Sequence, residues 1–210
     1  MTGRFITFEG PEGSGKTSVI QAVRDFLIQE GYDILTTREP GGSKIAEEIR
    51  DIILNKDNTE MAATTEALLY AASRAQHHAE VIVPALELGK VILCDRFIDS
   101  SLAYQGHGRG LGIDRVLNIN TFGIGDHMPD FTIFIDVPPA VGLKRVFDNQ
   151  GRKVDRLDLE PVTFHERVYE GYKLLAKRFE ERFIVIDGTN SVETVIEDTI
   201  QVLKSYLQHG

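Results

Sequence analysis

The sequence predicts an α/β fold: a five-stranded parallel sheet, doubly wound, flanked by helices on both faces. Three observations predict it. Strand-like runs alternate with helical ones along the chain, two of the strands are almost continuously apolar, and a glycine-rich loop joins the first strand directly to the first helix. A chain of 210 residues, 42% hydrophobic and 26% charged, suits a single domain with a full core. No internal repeat, low-complexity segment or linker divides it.

The first strand is Arg4–Glu9, where Phe5, Ile6 and Phe8 supply β-forming bulk. Gly15–Glu30 follows with apolar residues at helical spacing. The second strand is Asp33–Thr37, and Lys44–Leu54 reads as the next helix. Thr64–Leu88 reads as one long helix leading to the third strand, Lys90–Cys94. Arg115–Phe122 is helical and precedes the fourth strand, Phe131–Val137. These two strands are the apolar ones, as strands covered on both faces are. Ala140–Asn149 is helical; 148–160 is polar and charged, the least core-like stretch of the domain, and Pro161 suits the first position of the helix Val162–Glu180. Arg182–Asp187 is the fifth strand. The last helix, Val192–Gln208, aligns Val192, Val195, Ile196, Ile200, Leu203 and Leu207 on one stripe, with Asn190 as its expected N-cap and Glu193 as partner.

The loop itself carries chemistry. Gly10-Pro11-Glu12-Gly13-Ser14-Gly15-Lys16-Thr17 fits the phosphate-binding pattern G-x-x-x-x-G-K-[S/T], and it sits between a strand and a helix as that pattern requires. Its glycines let successive backbone N–H groups turn inward toward phosphate oxygens, and the following helix adds its positive dipole end. Lys16 brings a mobile charge for the outer phosphates; the Thr17 hydroxyl is placed to ligate Mg²⁺.

The bulk numbers narrow the partners. A formal charge of −9 offers no basic face for a nucleic-acid backbone, so the arginines act locally on a small anion. Cys94 is the one cysteine; no internal disulfide can form, and a reducing compartment is expected. The N-terminus runs straight into the first strand, leaving no room for a signal peptide, and no apolar run approaches the ~20 residues of a membrane span. The expected location is cytoplasmic.

Other groups gather where ligands bind in doubly wound sheets, at the carboxyl ends of the strands. Arg38-Glu39-Pro40-Gly41-Gly42 follows the second strand in a forced tight turn; a rim site and a surface ion pair both fit it. Asp95-Arg96 follows the third, where an acid can stand near Mg²⁺ and an arginine can clamp a phosphate, or the two can form a structural ion pair. Tyr70 and Arg74, four apart on a helix, can stack and edge-bond a base, or be a core aromatic and a solvated cation. Arg152, Lys153 and Arg156 in the polar stretch 148–160 fit a lid of mobile cations or a solvated cluster. Cys94 reads as a buried small hydrophobe. His77-His78 point apart on a helix and suggest no metal site.

Together, Phe8 to Thr17, Arg38 to Gly42, Asp95-Arg96-Phe97 and Ser101-Leu102-Ala103-Tyr104-Gln105-Gly106 resemble the signatures of the thymidylate kinase family, and the resemblance covers essentially all 210 residues. It implies a P-loop nucleoside monophosphate kinase fold with a short lid, transfer of a phosphoryl group from Mg²⁺-ATP to dTMP, and a homodimer. Carried over residue by residue, it implies Lys16, Asp95, Arg96, Glu12 and the lid's Arg152 as catalytic groups, with Arg156 as the competing lid cation. Thr17 and Asp95 would serve the metal. Arg38 and Arg96 would grip the dTMP phosphate with Glu39 in support; Glu12 would lie near the 3′-hydroxyl; Arg50, Ser73 and Ser101 would also reach the nucleotide. Tyr70 would stack on thymine, Arg74 and Gln105 would bond its edge, and Tyr104 would crowd a ribose 2′-hydroxyl. Residue 70 is usually phenylalanine in the family and residue 97 tyrosine. Positions 11 to 14 hold no arginine, which resembles the bacterial subgroup with its catalytic arginine in the lid. The rival readings are a kinase for another small acceptor, or a nucleotide-dependent switch.

Overall fold

The computed structural model describes residues 3–148 and 155–208. Among them a five-stranded, all-parallel sheet runs in the order β2-β3-β1-β4-β5. The strands are β1 (Arg4–Glu9), β2 (Ile34–Arg38), β3 (Val91–Asp95), β4 (Phe131–Asp136) and β5 (Phe183–Asp187). Each lies within one residue of its expected span.

Helices cover both faces. On one, α1 (Lys16–Gln29) and α9 (Val192–Gln208) close a core of Ile6, Phe8, Val23, Leu27, Leu93, Ile133, Ile135 and Leu203. On the other, Phe5, Ile92, Cys94 and Phe134 meet α3 (Ala63–His77), α5 (Ile98–Ser101), α6 (Ile113–Ile124) and α8 (Val162–Arg178). Because alternate residues of one strand point to opposite faces, β1 feeds both cores: Phe5 one, Ile6 and Phe8 the other. The helix α2 (Lys44–Leu54) packs on α3, and α7 (Pro139–Asp148) follows β4.

Three expectations change. The rod expected over 64–88 is continuous but not uniformly α-helical: α3 widens into a π-helical turn at His78–Ile82 before α4 (Val83–Glu87). The Val83 N–H reaches back five residues to the His78 carbonyl. Pro84 explains this, because it has no N–H and its ring would strike the carbonyl four residues back in a regular helix. A second π-helical segment, Leu102–Gly108, extends α5 where no helix was expected. At the last helix the N-cap is Ser191, one residue after the expected Asn190: the Thr194 N–H donates to Ser191 Oγ at 3.3 Å. Cys94 is fully buried as expected, and burial pushes its thiol well above the ordinary range.

Candidate active site

The carboxyl ends of β1, β2 and β3 converge on one cavity of about 380 Å³. In the sheet register Arg38 stands beside Asp95, and Asp95 beside Phe8, so three successive loops leave the sheet at one level. The cavity is lined by Glu12 to Ser18, by Arg38, Glu39, Pro40 and Arg50, and by Tyr70, Arg74, Asp95, Arg96, Tyr104 and Gln105. That volume is within the range of small-molecule sites.

The phosphate loop is folded for an anion. Gly13 and Gly15 have φ of 72° and 89°, a region side chains rarely adopt, and α1 begins at Lys16 with its backbone N–H groups open toward the cleft. Lys16 Nζ donates to the Gly10 carbonyl (3.0 Å), the Pro11 carbonyl (3.2 Å) and Ser14 Oγ (3.1 Å). Burial and the neighbouring Arg96 lower its pKa from 10.5 to about 8, against the pull of Asp95, Glu12 and Glu9. Gly10 and Pro11 thus serve through their carbonyls, behind the cavity wall.

Arg96 is the most constrained cation of the site. Its φ is 67°, the one positive value at a non-glycine among the described residues. Its guanidinium donates to Glu12 Oε1 (2.6 Å), Ser100 Oγ (3.1 Å) and Tyr172 Oη (3.0 Å), and lies 5.2 Å over the Tyr104 ring. Burial opposes its charge, but Tyr104, Glu12, Tyr172 and Glu9 around it raise its pKa well above the usual value. Tyr172 and Ser100 are held in turn by the buried Glu9, whose carboxylate also accepts the Phe97 and Ser100 N–H groups. Burial, and Asp99 nearby, raise the Glu9 pKa.

Arg38 and Arg50 both donate to the Pro40 carbonyl (2.9 and 2.6 Å), and Arg38 pairs with Glu47 at 3.0 Å. The turn between them is tight: a Cβ on Gly42, whose φ is 89°, would stand 2.4 Å from the His77 ring. Glu39 is buried, bonded to Arg74 Nε (2.7 Å) and His77 Nδ1 (2.9 Å). Glu12 Oε1 also accepts from the Tyr104 hydroxyl at 3.1 Å. Tyr70 shows its ring to the cavity, and no described residue hydrogen-bonds its hydroxyl.

Several expected residues stand elsewhere than at a ligand. Ser73 and Ser101 are buried behind the wall: Ser73 links the Gly41 N–H to the Ala46 carbonyl, and Ser101 accepts from Arg74. They stand behind the cavity lining, bonded to groups of its wall. Arg74 reaches the cavity, yet its N–H groups go to Glu39, Ser101, Asn120 and the Phe97 carbonyl, leaving one donor. Arg156, the competing choice for the lid cation, also lies off the cavity lining. It is buried, with Nε on the Ile53 carbonyl (2.9 Å) and NH2 on Glu66 Oε2 (2.6 Å). Arg152 and Lys153 lie outside the described residues.

Sequence reasoning missed Glu9, Glu66, Arg109 and Tyr172. Glu9 and Tyr172 are 163 positions apart and meet at 2.8 Å only in the fold. Asp95 Oδ1 is buried with no hydrogen-bond partner among the described residues, while Thr17 stands exposed at the start of α1. One carboxylate and one hydroxyl beside a phosphate loop are the donor set Mg²⁺ takes when phosphates and waters complete its shell, so these residues fit it.

The family model described as thymidylate kinase matches residues 8–199. The chain is 58% identical over 208 residues to the thymidylate kinase of Bacillus velezensis, covering 99% of this chain and 98% of that one. It is 53% identical over 202 residues to that of Clostridium novyi, covering 96% and 98%. A crystal structure of thymidylate kinase from Ehrlichia chaffeensis superposes with a TM-score of 0.78 at 32% identity, covering 97% of this chain and 99% of that one.

Proposed function

The chain belongs to the thymidylate kinase family, with the P-loop nucleoside monophosphate kinase fold, and from that premise we propose how its cleft divides the work. It phosphorylates dTMP to dTDP with ATP as donor. The observation that carries the reading is that one cavity is lined both by the phosphate loop and by Arg38, Arg96, Tyr70 and Gln105.

The acceptor is a phosphate monoester, largely dianionic at neutral pH because its second pKa is about 6. No strong general base is needed; the task is to bring two anions together and hold the charge that moves between them. The loop N–H groups and Lys16 take the triphosphate. Bound there, Lys16 Nζ exchanges its carbonyl partners for phosphate oxygens. Arg38 and Arg96 hold the dTMP phosphate in line, Arg96 aimed by Glu12, Ser100 and Tyr172. Glu39 acts through Arg74. The Tyr70 ring stacks on the base, Gln105 and the remaining Arg74 donor meet its edge, and Tyr104 with Glu12 faces the sugar. Thr17 and Asp95 would hold Mg²⁺, whose charge would offset that of the phosphates there. Arg152, in a lid over about 148–160, closes on the transferring group. The exposed apolar side chains of Leu68 on α3 and Phe122 on the neighbouring α6 support a homodimer. None of the described helices is long and apolar enough to cross a membrane.

The test is ATP turnover against dTMP, dUMP, dCMP, AMP and GMP with Mg²⁺. Turnover strongest with dTMP and stoichiometric with dTDP is expected. A different preferred acceptor would reassign the substrate; slow hydrolysis indifferent to every acceptor would instead favour a nucleotide switch.

A further inference from the structure

Glu66 stands one helical turn before Tyr70 on α3, buried behind the cavity wall. Its carboxylate joins three segments. Oε1 accepts from Gln105 Nε2 at 2.9 Å and Arg109 Nε at 3.1 Å; Oε2 accepts from Arg109 at 3.0 Å and Arg156 at 2.6 Å. Burial alone would raise its pKa, but the bonds from Arg109, Gln105 and Arg156 hold it below the usual range. It is therefore ionised at neutral pH, and an ionised carboxylate only accepts hydrogen bonds.

That fixes the Gln105 amide. A glutamine can present either end of its amide, and the two differ by a rotation of half a turn. Facing an obligate acceptor, it must turn its NH2 toward Glu66 and its carbonyl the other way. Gln105 lines the cavity, and among the described residues its Oε1 receives no hydrogen bond. Arg74, which can only donate, lines the same cavity.

We propose that Glu66 is a positioning residue that sets the polarity of the Gln105 amide, so that the cleft accepts a ring N3–H beside a C4 carbonyl and rejects a ring N3 lone pair beside a C4 amine. The proposal rests on the reading that Gln105 lies along the base edge. Glu66 then enforces thymine over cytosine without touching either. Arg109 and Arg156 contribute by keeping its charge in place, which ties base selection to the turn Leu157–Leu159 that Arg156 precedes.

The probe pair is dTMP and 5-methyl-dCMP, which share the methyl group, sugar and phosphate and differ only along the N3–C4 edge. A site built to bond one edge should prefer dTMP in kcat/KM by roughly 10⁴. In Glu66→Gln the new amide can donate, so Gln105 can turn over. The preference should fall by at least about 30-fold, mostly through KM and with 5-methyl-dCMP gaining, because each reversed hydrogen bond is worth a factor of about ten or more. Equal losses for both substrates, leaving the ratio within about threefold of wild type, would show that Glu66 only supports the fold. Gln105→Ala separates the two ideas. If it leaves the preference intact, the placement of Gln105 at the base is wrong; if it abolishes the preference while Glu66→Gln does not, only the orienting role is wrong. Should Glu66→Gln not fold, the ¹⁵N-resolved side-chain amide of Gln105 in the free wild-type protein decides. A well-separated, slowly exchanging proton pair supports the lock, and a fast-exchanging, averaged pair overturns it.

Discussion

Lys16 holds a proton that its surroundings resist. With its pKa lowered to about 8, mainly by burial, the folded chain binds this proton less readily than the unfolded chain, whose value is 10.5. Between those two values the unfolded state carries more protons, so this residue makes stability rise with pH across that window. A triphosphate in the loop reverses the balance by supplying negative charge, so ATP binding at pH 8 to 9 should take up a proton. Calorimetry in buffers of different ionisation enthalpy should show uptake approaching about one proton near pH 9 and little at pH 6.5. A binding enthalpy independent of buffer at pH 9 would contradict it. Arg96 bears on the other nucleotide: Arg96→Ala should raise KM for dTMP by 10-fold or more, about 1.5–3 kcal/mol for a charged hydrogen bond, and leave ATP binding near wild type. Unchanged dTMP affinity would remove it from the phosphate clamp. Arg152→Ala should lower kcat by about 10³-fold with a small change in KM, as loss of a transition-state arginine does. At this scale the cavity positions of Lys16, Arg38 and Arg96 were legible, because each stands in or beside a motif at a strand's carboxyl end; Tyr70 was one of two readings of its helix, and Gln105 came only with the family resemblance. Glu9 and Glu66 were illegible. A buried acid in a strand or helix carries no local signal; only the fold shows that Tyr172 and Arg156 come to meet it.

The phosphate loop is held in place by a close approach that leaves no room for a side chain. A Cβ on Gly13 would lie 2.1 Å from the Gly142 carbonyl oxygen, and one on Gly142 of α7 would lie 2.2 Å from the Glu12 carbonyl oxygen. The helix α7 therefore rests directly on the phosphate loop. Gly142→Ala should push the two apart, costing about 1–3 kcal/mol in thermal or denaturant unfolding and weakening ATP binding more than dTMP binding. Equal effects on both nucleotides would argue against this seam. Helix positions were read well where an apolar stripe marked them, as in α1 and α9. The π-helical turns were not, since a single shifted hydrogen bond leaves the apolar spacing almost unchanged. Pro84 was the visible clue for the first. For the second, the glycines at 106 and 108 disguised a segment that stays helical because α8 packs against it, with Gly171 so close to Ala103 that a Cβ would approach its backbone to 3.2 Å.

At the scale of the molecule, sheet order does the organising. Placing β1 between β3 and β4, with β2 outside β3, sets the phosphate loop beside the two strand ends that deliver Asp95-Arg96 and Arg38-Glu39. Alternation and apolar runs made the parallel sheet legible; the strand order was not, because it depends on how the crossovers pack. The acidic balance of −9 coexists with a cleft that gathers Lys16, Arg38, Arg50, Arg74 and Arg96. If Phe122, a residue 95% exposed, is covered by a second copy, Phe122→Glu should halve the mass seen by sedimentation equilibrium; an unaltered mass would place the interface elsewhere. The central claim is that one cleft holds both nucleotides end to end. Adenosine and thymidine joined 5′ to 5′ through a chain of phosphates should span it, inhibiting competitively against ATP and against dTMP and binding more tightly than either. Competition with only one of the two would contradict the account.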